Sequence, residues 1–232
     1  MIGQYSFSGN SEQYLHFGRK HPRQILIVPP FFEEMNRTRW LLIAAMRTLD
    51  EARIGTILPD LPGQNESLVP DSGISIAMWG AALERLAAQS GVIIDMVAAF
   101  RSGAILDDAV DCARRWRLAP EDGPDLLRQL VRTRLAADRE AGLSTSKAVL
   151  LAQARHESIE LAGVEMPPAL IQELENATLP AHDDVRTVRL EGSAAPADAY
   201  LSGKPLWRQS EPEEDHWLAQ QIAADMAGWV PR

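Results

Sequence analysis

The sequence contains a single cysteine, Cys112, among 232 residues. One thiol cannot form a disulfide within the chain, and a metal cluster held by several thiolates is excluded as well. No apolar run near the N-terminus has the length of a signal peptide or of a membrane-spanning helix. We therefore expect a cytoplasmic protein that does not insert into a membrane.

Basic residues are too few to balance the acidic ones, and the formal net charge is −9. This negative surplus argues against nucleic acid or an anionic membrane surface as the partner. The histidines and carboxylates show no spacing typical of metal ligands, and the glycines form no phosphate-binding loop. We therefore expect neither a metal nor a cofactor.

Short β-branched apolar runs alternate with amphipathic stretches in the first half of the chain. This alternation is typical of a mostly parallel, doubly wound α/β sheet. A loop is predicted over residues 31–37, with Asn36 or Thr38 as the cap of the first helix. The predicted strands of the sheet are residues 24–28, 54–58, 92–99 and 115–118. The predicted helices that follow the first three strands end near residues 52, 89 and 113. Residues 4–7 and 13–17 are predicted to form a β-hairpin at the edge of the sheet.

The alternation stops at about residues 121–182, which contain three predicted helices and lie between two predicted strands. An insertion at this point is typical of a lid that shapes a substrate pocket, so we predict one domain, residues 1–232, with a lid. Its first helix opens near Pro124, and a solvated face is favoured over an anion site for its arginines. These arginines are Arg128, Arg132, Arg134 and Arg139.

The strand at residues 92–99 runs into a tight turn, Phe100-Arg101-Ser102-Gly103, and then into a helical pattern. Strand, turn and helix are the geometry of the nucleophile elbow of α/β-hydrolases, whose signature is G-x-S-x-G. Arg101 occupies the position of the nucleophile. A guanidinium stays protonated and cannot attack a carbonyl carbon, so the elbow does not carry the usual chemistry.

Four separated stretches of the sequence form recognisable motifs: V-P-P-F-F-E-E-M-N at residues 28–36, L-P-D-L-P-G at 58–63, F-R-S-G-A at 100–104, and G-K-P-L-W at 203–207 with Glu211 after it. Together they resemble the exosortase A system-associated hydrolases, most closely the type 2 group. Three departures from that family's pattern are Ala99 for glycine, Ser102 for leucine and Leu206 for phenylalanine.

This resemblance implies an α/β-hydrolase fold with a helical lid and an arginine in the nucleophile position. It also implies a hydrolase associated with exopolysaccharide synthesis and exosortase-dependent protein sorting. The hydrolase label rests on the fold, and a fold does not determine a chemistry.

A serine hydrolase needs an exposed serine hydroxyl, a histidine within reach and an acid that orients the histidine. Ser102 comes one residue after the tip of the elbow. His216 is the first histidine after the last predicted strand, and Glu191 follows the strand at residues 185–190. These three residues are the candidates for a catalytic triad.

A polar site is the alternative to a triad. Glu33, Glu34 and Asn36 belong to the predicted loop that normally supplies an oxyanion-hole amide, and it should meet Arg101 at the carboxyl ends of the strands. Since a buried arginine needs partners, we predict that Arg101 pairs with Glu33 or Glu34.

Glu211 is predicted as a second acceptor for Arg101, and Trp207 as a stacking face for a ligand. The ligand would be a carboxylate, a phosphate or a sugar acid, although the network could equally serve only to lock the top of the sheet. Two functions therefore remain open. One is an inactive hydrolase-like protein that binds a small anionic or lipid-linked molecule or a partner protein, and the other is an active esterase that uses Ser102 and His216.

Overall fold

The structure is a computed structural model that describes residues 1–70, 73–209, 211 and 213–231. Within these residues, eight strands form one mostly parallel sheet with the order β1-β2-β4-β3-β5-β6-β9-β10, and β7 pairs with β8 in a separate hairpin. The strands are β1 Ile2–Phe7, β2 Asn10–Phe17, β3 Arg23–Val28, β4 Ile54–Pro59, β5 Met96–Phe100, β6 Arg114–Leu118, β7 Ile159–Leu161, β8 Val164–Met166, β9 Val185–Leu190 and β10 Ala199–Leu201.

Helices cover both faces of the sheet, which confirms the predicted fold class. The side chains of β3 alternate between two cores: Leu26 and Val28 pack towards α2 and the insertion, while Ile25 and Ile27 pack towards α1 and α6. A central strand buried on both faces reads as a continuous apolar run. The helices are α1 Glu33–Glu51, α2 Ile76–Ser90, α3 Gly123–Glu140, α4 Lys147–Ala154, α5 Pro168–Asn176 and α6 His216–Trp229.

Capping residues determine where α2 begins and ends. The Ser75 hydroxyl accepts a hydrogen bond from the Met78 amide at 3.0 Å, and Gly91 ends the helix in the left-handed conformation with φ 71°. Glycine adopts this conformation without steric cost, so Gly91 is the C-terminal cap of α2.

The predicted loop over residues 31–37 is wrong, because α1 already begins at Glu33. Phe32 turns the chain with φ 57°, and Glu33 and Glu34 then form an acidic first turn that the helix dipole favours. Neither Asn36 nor Thr38 is the cap. Thr38 lies inside the helix and donates from its hydroxyl to the Glu34 carbonyl at 2.7 Å.

The prediction that a helix runs from the elbow to about residue 113 is also wrong, because the helical segment ends earlier. The chain forms a short 3-10 helix, Arg101–Leu106. Arg115 then donates to the carbonyl oxygens of Asp107, Val110 and Cys112 at 3.0–3.3 Å. A side chain therefore satisfies carbonyls that would otherwise accept helical amides, and the segment turns back towards β6.

The segment between the paired strands β6 and β9 contains α3, α4, the β7–β8 hairpin and α5. The Asp122 carboxylate caps α3 by accepting from the Asp125 amide at 2.9 Å, and Pro124 lies in the first turn, as the sequence predicts. Leu126 and Leu130 of α3 belong to the same core as Leu170 and Leu174 of α5. In the part of the chain described, no helix is both long and apolar enough to cross a bilayer.

Candidate functional site

The turn after β5 carries Arg101 at its tip. Arg101 has φ 53°, a left-handed conformation that costs a residue with a side chain some strain energy. A Cβ at Gly103 would collide with the carbonyl oxygens of Val28 and Pro29, so only glycine allows the turn to approach β3 this closely. The strand, the strained tip and the following 3-10 helix project Arg101 from the carboxyl end of β5.

Arg101 is buried and makes four hydrogen bonds. Its Nε and Nη2 donate to the two oxygens of Glu34 at 3.2 and 3.3 Å, and Nη2 also donates to Glu121 Oε2 at 2.8 Å. Its Nη1 donates to the Ala119 carbonyl at 3.0 Å. The guanidinium carbon lies 5.0 Å from the centre of the Trp207 ring, within the range of a cation–π contact. The predicted pair between Arg101 and Glu34 is confirmed.

The second carboxylate partner of Arg101 is Glu121, and the prediction of Glu211 as the second acceptor is wrong. Glu211 is exposed, and Glu33 pairs with Arg37 at 2.6 Å on the surface of α1. Glu121 lies close to Arg101 because β6, the strand before Glu121, is the immediate neighbour of β5. The Glu121 amide also donates a hydrogen bond to the Arg101 carbonyl at 3.3 Å. An acidic residue shortly after a buried strand is the sequence signal that could have identified Glu121.

The two buried carboxyls around Arg101 have raised pKa values. Burial raises the pKa of Glu121 to about 7, with the attraction of Arg101 opposing the shift and the neighbouring charge of Glu34 adding to it. Burial also raises the pKa of Glu34, against the attraction of Arg101. The cluster has two carboxyls for one guanidinium, so Arg101 compensates at most one negative charge.

Glu121 should make the fold less stable as the pH rises. Between pH 4.5 and about 7 the unfolded chain has lost the Glu121 proton while the folded chain keeps it, so the stability falls across this window. The fall corresponds to about 3 kcal/mol. Glu121→Gln should remove this fall, as measured by urea denaturation at a series of pH values. Glu157→Gln, an exposed glutamate of the insertion, is the control, and the same slope in wild type and Glu121→Gln would contradict the prediction.

The three candidates for a catalytic triad do not come together. Ser102 is fully buried, and its Oγ accepts a hydrogen bond from the Phe31 amide at 2.9 Å. The His216 side chain is 76% exposed at the start of α6 and lies 3.2 Å from Glu214. Glu191 is exposed after β9 and lines a cavity of about 220 Å³ together with Arg101 and Trp207. The exposed His216 and the fully buried Ser102 therefore do not form a base–nucleophile pair.

A cavity of about 350 Å³, called the elbow cavity below, lies between the start of α1, the helix α3 and the loop after β10. Asn36 lies outside it and lines a neighbouring hollow with Gln64 and Gly163. Within the described residues, no group of three or more histidine, cysteine, aspartate or glutamate side chains could hold a metal ion. The polar and aromatic lining of the elbow cavity includes Glu33, Glu34, Arg37, Arg132, Trp207 and Arg208.

Solved structures similar to this chain share its architecture over nearly their whole length. The alpha/beta hydrolase domain-containing protein 10 from mouse has a TM-score of 0.63 at 12% identity, covering 98% of this chain and 97% of its own. Est1E from Butyrivibrio proteoclasticus, solved with ferulic acid bound, has a TM-score of 0.60 at 11% identity and covers 98% of both chains. The chain has the α/β-hydrolase fold.

A third similar structure shows that the fold also occurs in a protein named for another reaction. The bottromycin epimerase BotH, solved in complex with bottromycin A2, has a TM-score of 0.57 at 13% identity and covers 99% of both chains. No family model matches the sequence, and no curated protein matches it either. The resemblance to the exosortase-associated hydrolases therefore stays a prediction.

In α/β-hydrolases, an amide from the loop after β3 helps to form the oxyanion hole. Here both backbone amides of that loop already donate hydrogen bonds to side-chain oxygens. The Phe31 amide donates to Ser102 Oγ at 2.9 Å, and the Phe32 amide donates to Gln64 Oε1 at 3.0 Å. An amide that already has an acceptor is not free to stabilise the negative charge of a tetrahedral intermediate.

Proposed function

We propose that this α/β-hydrolase-fold protein binds a small anionic ligand in the elbow cavity and does not hydrolyse esters through a serine nucleophile. The observation that carries the proposal is the presence of Arg132 and Arg208 on two different elements facing one cavity next to the buried Arg101 cluster. Two arginines on opposite walls suit a phosphate, a carboxylate or a sugar acid, because guanidinium groups bind such oxygens in bidentate fashion.

The charges around the elbow cavity leave a local positive surplus. Glu33 is matched by Arg37 and Glu34 by Arg101. Arg208 acts on Glu34 only through longer-range attraction, and Arg132 has no acidic partner among the residues described. Adding an anion would compensate the surplus, whereas adding a cation would increase it.

The absence of hydrolysis follows from the residues at the elbow. Arg101 cannot act as a nucleophile, and the hydroxyl of Ser102 already accepts a hydrogen bond from the Phe31 amide. We further propose that residues 121–182 act as a lid, because α3 forms one wall of the elbow cavity. The sequence resemblance supports an acidic or lipid-linked intermediate of exopolysaccharide synthesis as the ligand, and the cytoplasm as the compartment.

Arg208→Ala and Arg132→Ala should each weaken anion binding. Calorimetric titration with inorganic phosphate, succinate and glucuronate should identify at least one ligand, whose Kd should rise about tenfold or more in each variant, since each loses a charge-assisted hydrogen bond. Arg128→Ala is the matched control, because Arg128 lies on α3 but does not line the elbow cavity. Binding that is the same in all three variants, or no binding of any probe, would count against the proposal.

A fluorophosphonate probe should not label the protein, and a short-chain acyl ester should not turn over. Fluorophosphonates react with activated serine hydroxyls, which the buried Ser102 does not provide. The measurement is in-gel fluorescence next to an active serine esterase as a positive control. Labelling that disappears in Ser102→Ala would instead support the active esterase.

A further inference from the structure

The outer face of α3 carries a second concave surface, called the α3 groove below, with a volume of about 330 Å³. Its lining combines cationic and apolar side chains and includes no acidic residue. The side chains are Arg128, Val131, Arg132, Leu135, Ala136, Arg139 and Lys147.

Most of the positive charge of the α3 groove is uncompensated. Arg128 pairs with Asp125 of the same helix, whereas Arg132, Arg139 and Lys147 make no ion pair with any residue that the structure describes. Arg134 also lies on α3, but its charge is compensated by Asp138 at 2.8 Å and Glu160 at 2.9 Å. The helix therefore has a neutralised side and a cationic side.

Apolar side chains accompany these cations. Val131, Leu135 and Ala136 form the apolar part of the groove. At the corner between α3 and α4, Leu143 is 58% exposed and Val149 is 64% exposed. Exposed apolar groups bordered by basic side chains are the composition of surfaces that bind at a membrane interface.

We infer that the α3 groove and the adjacent corner form a docking surface for a bilayer that contains anionic lipids. The cations would lie among the lipid phosphates, while Leu143 and Val149 would reach the boundary between headgroups and acyl chains. A nucleic acid fits this surface less well, since single strands bind through aromatic side chains and none lines the groove.

The net charge of −9 does not exclude this docking. Charge attraction to a surface falls off within a Debye length, so the charges that face the bilayer outweigh those on the far side of the molecule. The net charge argues against an anionic membrane surface only if the charged residues are spread evenly over the molecule. The α3 groove gathers several basic side chains of the insertion, so this surface is positively charged although the net charge of the chain is negative.

Sedimentation with vesicles tests the charge contribution. The wild type should sediment with vesicles of phosphatidylcholine and phosphatidylglycerol but not with vesicles of phosphatidylcholine alone. Arg139→Glu with Lys147→Glu should lower the partition coefficient more than about tenfold, because each basic residue at an anionic surface contributes about a fivefold factor. Neither residue lines the elbow cavity, so anion binding there should stay unchanged. Failure of this proposal and failure of the proposed function are therefore distinguishable.

The matched control for charge is Arg47→Glu with Arg85→Glu, on the exposed sides of α1 and α2. It changes the net charge by the same amount and should leave vesicle binding within about twofold of the wild type, since these residues lie outside the groove. Equal loss in both double variants, or a wild type that ignores anionic vesicles, would overturn the docking surface. Sedimentation that depends on an RNA oligonucleotide instead of anionic lipid would overturn it as well.

A second pair of variants tests the apolar contribution. Leu143→Ser with Val149→Ser should lower the bound fraction that persists at high ionic strength, where charge attraction is screened. Leu68→Ser with Ile93→Ser removes two other exposed apolar side chains and should not change binding. Circular dichroism of each variant checks that the fold is retained. Equal effects of the two serine pairs would contradict a docking face at the α3–α4 corner.

Discussion

Arg101→Ala is expected to reduce the free energy of unfolding by roughly 3–5 kcal/mol at neutral pH. The substitution leaves the carboxyls of Glu34 and Glu121 in a buried site without the guanidinium to which both are hydrogen-bonded. It also leaves the Ala119 carbonyl without its donor. Urea denaturation followed by tryptophan fluorescence and circular dichroism measures the loss.

The pH dependence of this loss distinguishes a charge network from simple packing. Without Arg101, the attraction that opposes the raised pKa values of Glu34 and Glu121 is lost, so a lower pH favours the uncharged form of both carboxyls in the variant. The deficit of Arg101→Ala should therefore shrink as the pH falls towards 5, which is below the pKa of about 7 that Glu121 has in the wild type. A deficit that does not change with pH would indicate that Arg101 contributes mainly by filling space.

Removing the carboxylates tests the same network from the other side. In a background of Glu34→Gln with Glu121→Gln, the effect of Arg101→Ala should be smaller, because no buried negative charge is left unpaired. Arg128→Ala is the control at an exposed pair, where the expected change is at most about 1 kcal/mol. An equally large effect of Arg101→Ala in both backgrounds would contradict the assignment.

Asp107→Ala is expected to destabilise the protein by a similar amount, roughly 3–5 kcal/mol. Asp107 is fully buried, and its two oxygens accept from Arg117 Nε at 2.6 Å and Arg117 Nη2 at 3.0 Å. His182 Nε2 lies 3.4 Å from the carboxylate without forming a hydrogen bond, so Arg117 is the main partner. Alanine would leave the guanidinium of Arg117 buried and unpaired.

This second network also attaches the end of the insertion to the sheet. Arg117 of β6 donates to the Pro180 carbonyl at 2.7 Å in addition to its pair with Asp107. Asp107→Ala should therefore speed proteolytic cleavage around residues 178–184 beyond the change that the lower global stability causes. The matched control is Asp108→Ala, since Asp108 is the exposed neighbour and its loss should change stability by less than about 0.5 kcal/mol. Equal effects of the two alanine variants would contradict the role of Asp107.

The sequence predicts the sheet well because each central strand is a compact apolar run. The cores on the two faces of the sheet take alternate side chains of β3, and this requires apolar residues at every position of that strand. The Arg101–Glu34 pair is predictable for a related reason. Both residues follow neighbouring parallel strands, and the carboxyl ends of such strands meet at one edge of the sheet.

Other features depend on contacts between segments that are distant in the sequence. An acidic residue after a buried strand is a local signal for Glu121, but its pairing with Arg101 depends on β6 lying next to β5. The early start of α1 depends on the left-handed turn at Phe32, which is unusual for a bulky residue. The short 3-10 helix after the elbow depends on Arg115, which lies in the next strand and reaches back to three carbonyls.

The charge of the insertion can be read from the sequence only in part. Asp138 lies four residues after Arg134 on the same helix, a spacing that brings the two side chains together. The second partner of Arg134, Glu160, lies 26 residues further along the chain, and this contact depends on how β7 packs against α3. Arg132 and Arg139 have no acidic residue at helical spacing and no ion-pair partner among the residues described.

The parallel pairing of β6 with β9 limits how the insertion can be re-engineered. Parallel strands begin at the same edge of the sheet, so the chain that leaves β6 must cross the whole sheet before β9 begins. A tight turn cannot make this connection, which needs about a dozen residues or more. A minimal variant would therefore keep α3 and α5 as the crossover. Removal of α4 and the β7–β8 hairpin would take Leu150, Leu161 and Met166 out of the core on this face of the sheet, so any shorter connection must replace these apolar contacts.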